Sequence, residues 1–359
     1  MHSDSASINM SHNLHGTFVS EKINKIRWRP GGIQSLNLFV TGSIDNEKNT
    51  IKLWDFCEND EENDIYPFTI SSYMYDGDVA DIQFINQDYF ACASSSGSVH
   101  LMNIAVQSSG DMLLNNYMEW DKIHYFNNGE ASCCTALAIY ENDLVSVGED
   151  GRINVLTAQS KNVIRSIDDA DSCSLGCVLF LKHNEILTSN LRGQMKIWDL
   201  RSQTNTPTKT FMLSGDQVTP TCLIFHPTQR HLVIAGDELG AITTWDLRQN
   251  TFPVNVLNAH EGSINEIHFH PDHPDQLFSC SSAGEIWHWS TKNKHQSFMG
   301  LEDSDVNVWL APDNVKNKLE VFTLMPTLGK SINTLDLNKN KVICGCANEA
   351  IYLINGINL

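Results

Sequence analysis

Basic residues are scarce in this 359-residue sequence, where 24 lysines and arginines face 43 aspartates and glutamates. The formal net charge of −19 repels nucleic acid and anionic membrane surfaces, which argues against direct nucleic-acid binding. No apolar run reaches the roughly 18 residues of a membrane span, and the N-terminal stretch through Leu14 lacks an apolar signal core. We therefore expect a soluble, intracellular protein without membrane insertion.

Signatures of catalysis and metal binding are also missing. The sequence has no G-x-S-x-G elbow, phosphate-binding loop, G-x-G-x-x-G turn or H-E-x-x-H helix. Its ten cysteines lie mostly in separate strand-like runs, which is typical of reduced thiols. His268, His270 and His273 have metal-like spacing, but no carboxylate or cysteine completes a ligand set, so surface and strand-end positions explain them. We expect no enzyme activity, no cofactor and no metal site.

An acidic run extends from Glu58 to Asp64. It lacks the central glycine and the final glutamate of a calcium-binding loop. The run is therefore expected to be a solvated loop.

The residues Glu149, Asp150 and Gly151 are explained as a hairpin turn, in which the aspartate could also cap a neighbouring loop.

The dipeptide Trp-Asp closes a short run of alternating apolar and polar residues three times in the chain. Aligning the less obvious runs with these three defines a column of seven positions: Trp54, Met102, Leu156, Trp198, Trp245, Trp289 and Ile354. Most intervals are close to the roughly 40–45 residues of a four-stranded propeller blade. The sequence predicts an all-β fold, a single seven-bladed Trp-Asp-repeat (WD40) β-propeller.

Closure of this ring requires one strand from the N-terminus. Blade seven has three strand-like runs near the C-terminus but lacks an outermost one, and the run from Gly16 can supply it. Pairing of the first strand with the last blade removes the open sheet edges that would otherwise aggregate. We expect residues 1–15 to be a polar disordered tail and residues 16–359 to be the propeller.

Blade six carries an insertion, because the interval from Trp289 to Ile354 exceeds the usual period by about 20 residues. The insertion covers about 291–318 and precedes an outer strand from Leu319. In one interpretation, the segment folds back on its own blade. In the other, it docks a partner through Val308, Trp309 and Leu310.

The tryptophans of the column are structural candidates: Trp54, Trp198, Trp245 and Trp289. A large aromatic side chain at this position packs between neighbouring blades. In many such repeats a His, a Ser or Thr and a hairpin Asp bond to the indole. Blade six has His260, Ser279 and Trp289 in place, but Ala283 stands at the aspartate position. We expect this network to be partial.

Two Trp-Asp pairs are each followed by Leu-Arg, which places Arg201 and Arg248 in consecutive blades. This doublet resembles the motif by which propeller substrate receptors bind the adaptor of a cullin-RING ubiquitin ligase. The alternative is that each arginine pairs with a local carboxylate, which contributes little at a surface.

Several strings that the repeat does not demand carry a more specific resemblance: FVSEKINKIRWRP from Phe18, VGEDGRIN from Val147, RSIDDADS from Arg165, GQMKIWDLR from Gly193 and SINTLDL from Ser331. Together they resemble the Trp-Asp-repeat nucleoporins of the Y-shaped outer-ring scaffold of the nuclear pore, the forty-three-kilodalton nucleoporin family. The likeness extends from about Thr17 to Leu353. Ser290, where an aspartate is usual, is one departure.

The resemblance implies a non-catalytic scaffold subunit that supports pore assembly, protein and mRNA transport, and kinetochore association in mitosis. The implied partners are outer-ring nucleoporins, especially the α-solenoid nucleoporin of the short arm and its companion propellers. The chain would then be a monomeric propeller within a hetero-oligomer at the nuclear envelope. The alternative, carried by Arg201 and Arg248, is a substrate receptor of a cullin-RING ubiquitin ligase.

Overall fold

The computed structural model describes residues 13–31, 37–59, 64–213, 217–249, 252–291, 309 and 319–359. These residues form 28 β-strands in seven four-stranded sheets, and each sheet is one blade of a propeller. The predicted seven-bladed all-β fold is therefore confirmed. No helix within those ranges is long and apolar enough to cross a bilayer.

The first four blades each take four consecutive antiparallel strands. Blade one contains β2 (Ile23–Trp28), β3 (Phe39–Ser43), β4 (Asn49–Asn59) and β5 (Asp64–Tyr75). Blade two contains β6 (Val79–Phe84), β7 (Tyr89–Ser94), β8 (Val99–Val106) and β9 (Met112–Trp120). Blade three contains β10 (Cys134–Tyr140), β11 (Asp143–Gly148), β12 (Ile153–Thr157) and β13 (Ser160–Ile167). Blade four contains β14 (Leu175–Lys182), β15 (Glu185–Asn190), β16 (Gln194–Asp199) and β17 (Lys209–Met212).

Blades five and six repeat this arrangement, and blade seven differs in its outer strand. Blade five contains β18 (Pro220–Phe225), β19 (Leu232–Asp237), β20 (Ala241–Asp246) and β21 (Asn255–Asn258). Blade six contains β22 (Ile264–Phe269), β23 (Gln276–Ser281), β24 (Ile286–Ser290) and β25 (Glu320–Thr323). Blade seven contains β26 (Ile332–Asn338), β27 (Lys341–Cys346), β28 (Ala350–Asn355) and β1 (Asn13–Phe18).

The N-terminal strand closes the ring. Strand β1 pairs antiparallel with β28, with Asn13 opposite Asn355 and Phe18 opposite Ala350. The strand begins three residues earlier than the expected boundary at residue 16, because the backbone of residues 13–15 also pairs with β28. The rest of the expected tail, residues 1–12, lies outside the described residues.

The core lies between the blades. Each sheet places apolar side chains on both faces, as a strand buried on two sides requires. Seven apolar clusters result, one for each pair of adjacent blades. Between blades seven and one, for example, Trp54 packs in the same cluster as Ile343 and Ile351. The ring is therefore stabilised by contacts between sheets.

Tight turns join the second and third strands of the blades. Gly193 and Gly240 occupy such turns with φ of 77° and 86°, as the sequence predicts. A Cβ atom at either position would collide with the backbone carbonyl oxygen of Val218 or His260 in the loop entering the next blade. These turns and the loops that enter the first strands form what we call the upper face of the disc.

The opposite, lower face carries the turns between first and second strands and the loops between third and outer strands. Two hairpins there are unusually long. Strands β4 and β5 have 11 and 12 residues, and β8 and β9 have 8 and 9. Glu58 and Asp64 of the acidic run belong to β4 and β5, so the expected loop is shorter, and its residues 60–63 lie outside the described residues.

Candidate functional site

The tryptophan column lies between the blades. Trp54, Trp198, Trp245 and Trp289 are all at most 5% exposed. The Nε1–H groups of three of them donate to hydroxyls of the second strand: Trp54 to Thr41, Trp198 to Thr188 and Trp289 to Ser279, at 2.8, 3.0 and 2.9 Å. These indoles are buried packing elements and are not available to a partner.

Blade six completes its histidine network in a way that the sequence did not predict. The His260 ring contacts Ser279 Oγ through Nε2 at 2.7 Å, and Ser279 also accepts the Trp289 indole N–H. Ala283 offers no carboxylate at the expected place, but Glu285 contacts His260 Nδ1 at 2.9 Å. Glu285, two residues after Ala283 in the hairpin, therefore takes the role of the missing aspartate.

Blade three contains a second such network without a tryptophan. His124 contacts Asp150 through Nδ1 at 3.0 Å and Ser146 through Nε2 at 2.9 Å. Asp150 also accepts the backbone N–H groups of Tyr125 and Arg152. The bond from the Tyr125 N–H is the cap of a neighbouring loop that the sequence left open for Asp150, whereas the contact with His124 was not predicted.

Buried histidines make the stability of the fold dependent on pH. Burial lowers the pKa of His260 below its ordinary value of 6.5, although the Glu285 carboxylate partly opposes this effect. Burial also lowers the pKa of His100 and His226. The unfolded chain binds these protons at higher pH than the folded chain does. The stability that these histidines contribute is therefore complete above about pH 6.5 and declines as the pH falls through the folded-state values.

We expect the melting temperature to fall between about pH 7.5 and about pH 5.5, as followed by circular dichroism. The variant His260→Gln should be less stable at the higher pH, because Ser279 and Glu285 lose a buried partner. It should also lose less stability on acidification than the wild type. An equal loss in both proteins would contradict the assignment to His260.

Arg201 and Arg248 lie on the lower face, in the loops after the third strands of blades four and five. Each guanidinium makes a bidentate ion pair with the aspartate of its own Trp-Asp pair. Arg201 donates to Asp199 at 3.0 and 2.8 Å, and Arg248 donates to Asp246 at 2.9 and 2.7 Å. The hydrogen bonds from Arg201 lower the pKa of Asp199 to about 2. Pairing of each arginine with a local carboxylate, one of the two alternatives from the sequence, is therefore present. The side chains of Arg201 and Arg248 nevertheless remain 72% and 62% exposed.

In the insertion of blade six, the structure describes Thr291 and Trp309. The Trp309 side chain is 1% exposed and packs edge-on against Phe269, with ring centroids 5.9 Å apart. It belongs to the same apolar cluster as Trp289. This burial favours the interpretation that the insertion folds back on its own blade. The other two docking candidates, Val308 and Leu310, lie outside the described residues.

A charge cluster lines the central channel, and nothing in the repeat pattern of the sequence indicated it. The Glu266 carboxylate accepts from Arg27 at 3.0 and 2.8 Å and from Lys25 at 2.5 Å. Thr334 Oγ1 and Leu335 N donate to the same carboxylate at 2.8 and 3.0 Å. Burial alone would raise the pKa of Glu266, but the two cations outweigh it and hold this pKa well below its usual range. The cluster joins blades six, seven and one.

The channel contains a cavity, and the histidine run makes local contacts. The cavity beside the charge cluster measures about 400 Å³ and is lined by the first strands of the blades. His270 uses both ring nitrogens locally, with Nε2 facing Lys339 O at 2.8 Å and Nδ1 accepting the His273 N–H at 3.1 Å. Within the described ranges, no group of three or more His, Cys, Asp or Glu side chains is placed to hold a metal ion. The ten cysteines are free thiols.

Seven blades, inter-blade tryptophans and their hydroxyl partners define a WD-repeat β-propeller. A family model described as "WD domain, G-beta repeat" matches residues 251–290, which include strands of blades five and six. The chain is 37% identical to human "Nucleoporin Nup43", and the alignment covers 95% of this chain and 98% of the human protein. The mouse protein of the same name has the same identity and coverage. The "Nuclear pore complex protein nup43" of Dictyostelium discoideum is 28% identical over 60% of this chain. The chain belongs to the Nup43 family of nucleoporins.

Proposed function

We propose that this protein is a non-catalytic scaffold subunit of the nuclear pore complex outer ring, the Y-shaped complex. One observation carries the proposal: the identity of 37% to the human and mouse relatives spans nearly the whole chain and nearly the whole of each relative. A generic repeat match would cover only part of the ring. The shared region therefore includes the loops and the rim on which partners dock.

The physical properties of the fold support a docking platform. A closed propeller is a rigid disc whose two faces and rim present many loops at fixed angles. Its channel charges are paired across blades: Glu266 binds Lys25 and Arg27, and Asp81 lies 3.9 Å from the Arg27 guanidinium. The chain thus holds several partners at once and supports pore assembly and nucleocytoplasmic transport of protein and mRNA.

The partners in this proposal are other outer-ring nucleoporins, especially the α-solenoid nucleoporin of the short arm and its companion propellers. The protein acts as one propeller within a hetero-oligomer, located at the nuclear envelope and at kinetochores in mitosis. Its net charge of −19 disfavours direct contact with nucleic acid.

One observation favours a second candidate, a substrate receptor of a cullin-RING ubiquitin ligase. Arg201 and Arg248 are largely exposed on neighbouring blades of one face. Their side chains already make bidentate pairs with Asp199 and Asp246, so an adaptor would have to compete with those carboxylates or bind around them.

Affinity purification from the protein's own cells, followed by quantitative mass spectrometry, separates the two candidates. We expect stoichiometric recovery of outer-ring nucleoporins, and a fluorescent fusion should mark the nuclear rim. The double variant Arg201→Ala and Arg248→Ala should recover the same nucleoporins, because the scaffold function does not depend on those side chains. Cullin adaptors in excess over nucleoporins, lost in the double variant, would establish the ligase receptor instead.

A further inference from the structure

Blades one and two present facing apolar surfaces at the lower rim. Strand β5 and the hairpin of β8 and β9 face each other there, and the Leu114 N–H donates to Ser71 Oγ at 3.0 Å where the two blades meet. Beyond this contact both hairpins continue outward. We call the space between them the lower-rim groove and define it by Tyr66, Phe68, Ile70, Val106 and Met112.

Strand alternation places these five side chains on facing surfaces. Ile70 and Met112 pack on the cluster between blades one and two, which fixes the orientation of their strand faces. Phe68 and Tyr66 lie opposite Asp55 and Cys57, which share the face of Leu53 in the same cluster. Val106 shares the face of Ile104, which belongs to the same cluster. The groove walls therefore extend the inter-blade core outward.

The side chains of the groove walls become more exposed with distance from the blade contact, although they remain apolar. Ile104 and Leu114 are buried where the blades touch, whereas Tyr66, Phe68 and Val106 are 47%, 44% and 62% exposed. The extension is not a requirement of the propeller, since the outer strands β17, β21 and β25 have only four residues each. Contiguous exposed apolar side chains on a hairpin that the fold does not need are typical of an interaction surface.

The charges beside the groove indicate what it binds. Strands β5, β8 and β9 contain no lysine or arginine. Asp55 lies opposite Phe68 in the β4 and β5 pair, and Asp111 directly precedes Met112. An apolar groove bordered by carboxylates complements apolar side chains that are flanked by lysine or arginine.

We propose that the lower-rim groove docks a segment of another nucleoporin that carries apolar side chains flanked by lysine or arginine. This inference rests on the proposed function and assigns it a surface. Tyr66 and Phe68 act as anchors, because large aromatic side chains in a desolvated pocket contribute most of the affinity of an interface. Asp55 and Asp111 set the charge preference and the dependence on salt.

The test uses the full chain and a purified recombinant outer-ring complex from the same organism, assembled without this subunit. Affinity is measured by biolayer interferometry across a range of salt concentrations. The double variant Tyr66→Ser and Phe68→Ser should bind about tenfold more weakly or worse. Asp111→Lys, which removes the hydrogen bond from the exposed Ser109 hydroxyl, should weaken binding and flatten its salt dependence.

The matched control is Ile164→Ser with Val256→Ser, which removes exposed apolar side chains from the rims of blades three and five. It should bind as the wild type does, and melting curves of all variants should confirm that they are folded. Unchanged binding by the groove variant, or an equal loss in the control, would overturn the groove as the docking surface while leaving the proposed function intact. Failure of the wild type to bind would overturn both. A wild-type dimer in sedimentation that the groove variant separates would identify a second copy as the occupant and would also overturn the inference.

Discussion

Replacing Glu266 by glutamine is expected to lower the free energy of unfolding by about 3–5 kcal/mol. The substitution preserves the side-chain shape but leaves the partly buried Lys25 and the buried Arg27 without their shared carboxylate. Removing one partner of a buried ion pair is costly because the remaining charge stays desolvated. Urea unfolding followed by tryptophan fluorescence measures the loss.

Glu261 offers a matched control, since it lies five residues earlier in the chain and is exposed. Glu261→Gln should change the stability by less than about 0.5 kcal/mol. Combining Glu266→Gln with Arg27→Met should recover part of the loss, because an apolar side chain then replaces the uncompensated guanidinium. A loss below about 1 kcal/mol for Glu266→Gln alone would indicate that solvent in the channel already compensates the cations.

Trp289→Ala is expected to destabilise the protein by about 3–5 kcal/mol, the range for removal of a buried tryptophan side chain. The indole is 4% exposed, packs between blades five and six, and donates to Ser279. Its loss leaves a cavity in the inter-blade cluster and removes one bond from the His260 network. The midpoint of urea unfolding and the melting temperature report the change.

Trp287 lies in the same strand and provides the comparison. Its side chain is only partly buried and contacts the His260 ring in a tilted arrangement, with centroids 4.5 Å apart. Trp287→Ala should therefore cost clearly less than Trp289→Ala. Trp289→Phe should recover most of the loss and leave a deficit of about 1 kcal/mol for the indole hydrogen bond. Equal effects of both alanine variants would contradict the assignment of Trp289 to the core.

The repeat made much of the fold predictable. Alternation of apolar and polar residues is a local property of a strand, and the Trp-Asp column marks the third strand of each blade. The column correctly aligned Met102, Leu156 and Ile354 with the tryptophans, and all three are buried. The outer strand of blade six after the insertion and the closing N-terminal strand were also predicted.

Side-chain networks were less predictable, because they depend on atoms that are brought together by turns. The sequence located His260, Ser279 and Trp289 but not Glu285, whose carboxylate reaches the histidine from a different hairpin position. It placed Asp150 in a hairpin turn with a possible capping role, but it did not predict the contact with His124, which lies in the neighbouring loop.

The sequence by itself determined the number of blades, their strand order and the closure of the ring, because each of these follows from short patterns repeated along the chain. Only the tertiary structure decided that Glu266 meets Lys25 and Arg27, that Trp309 is buried, and that the hairpins of blades one and two face each other across a groove. Residues far apart in sequence become neighbours only after the ring closes. The burial and charge of their surroundings are therefore properties of the assembled blades.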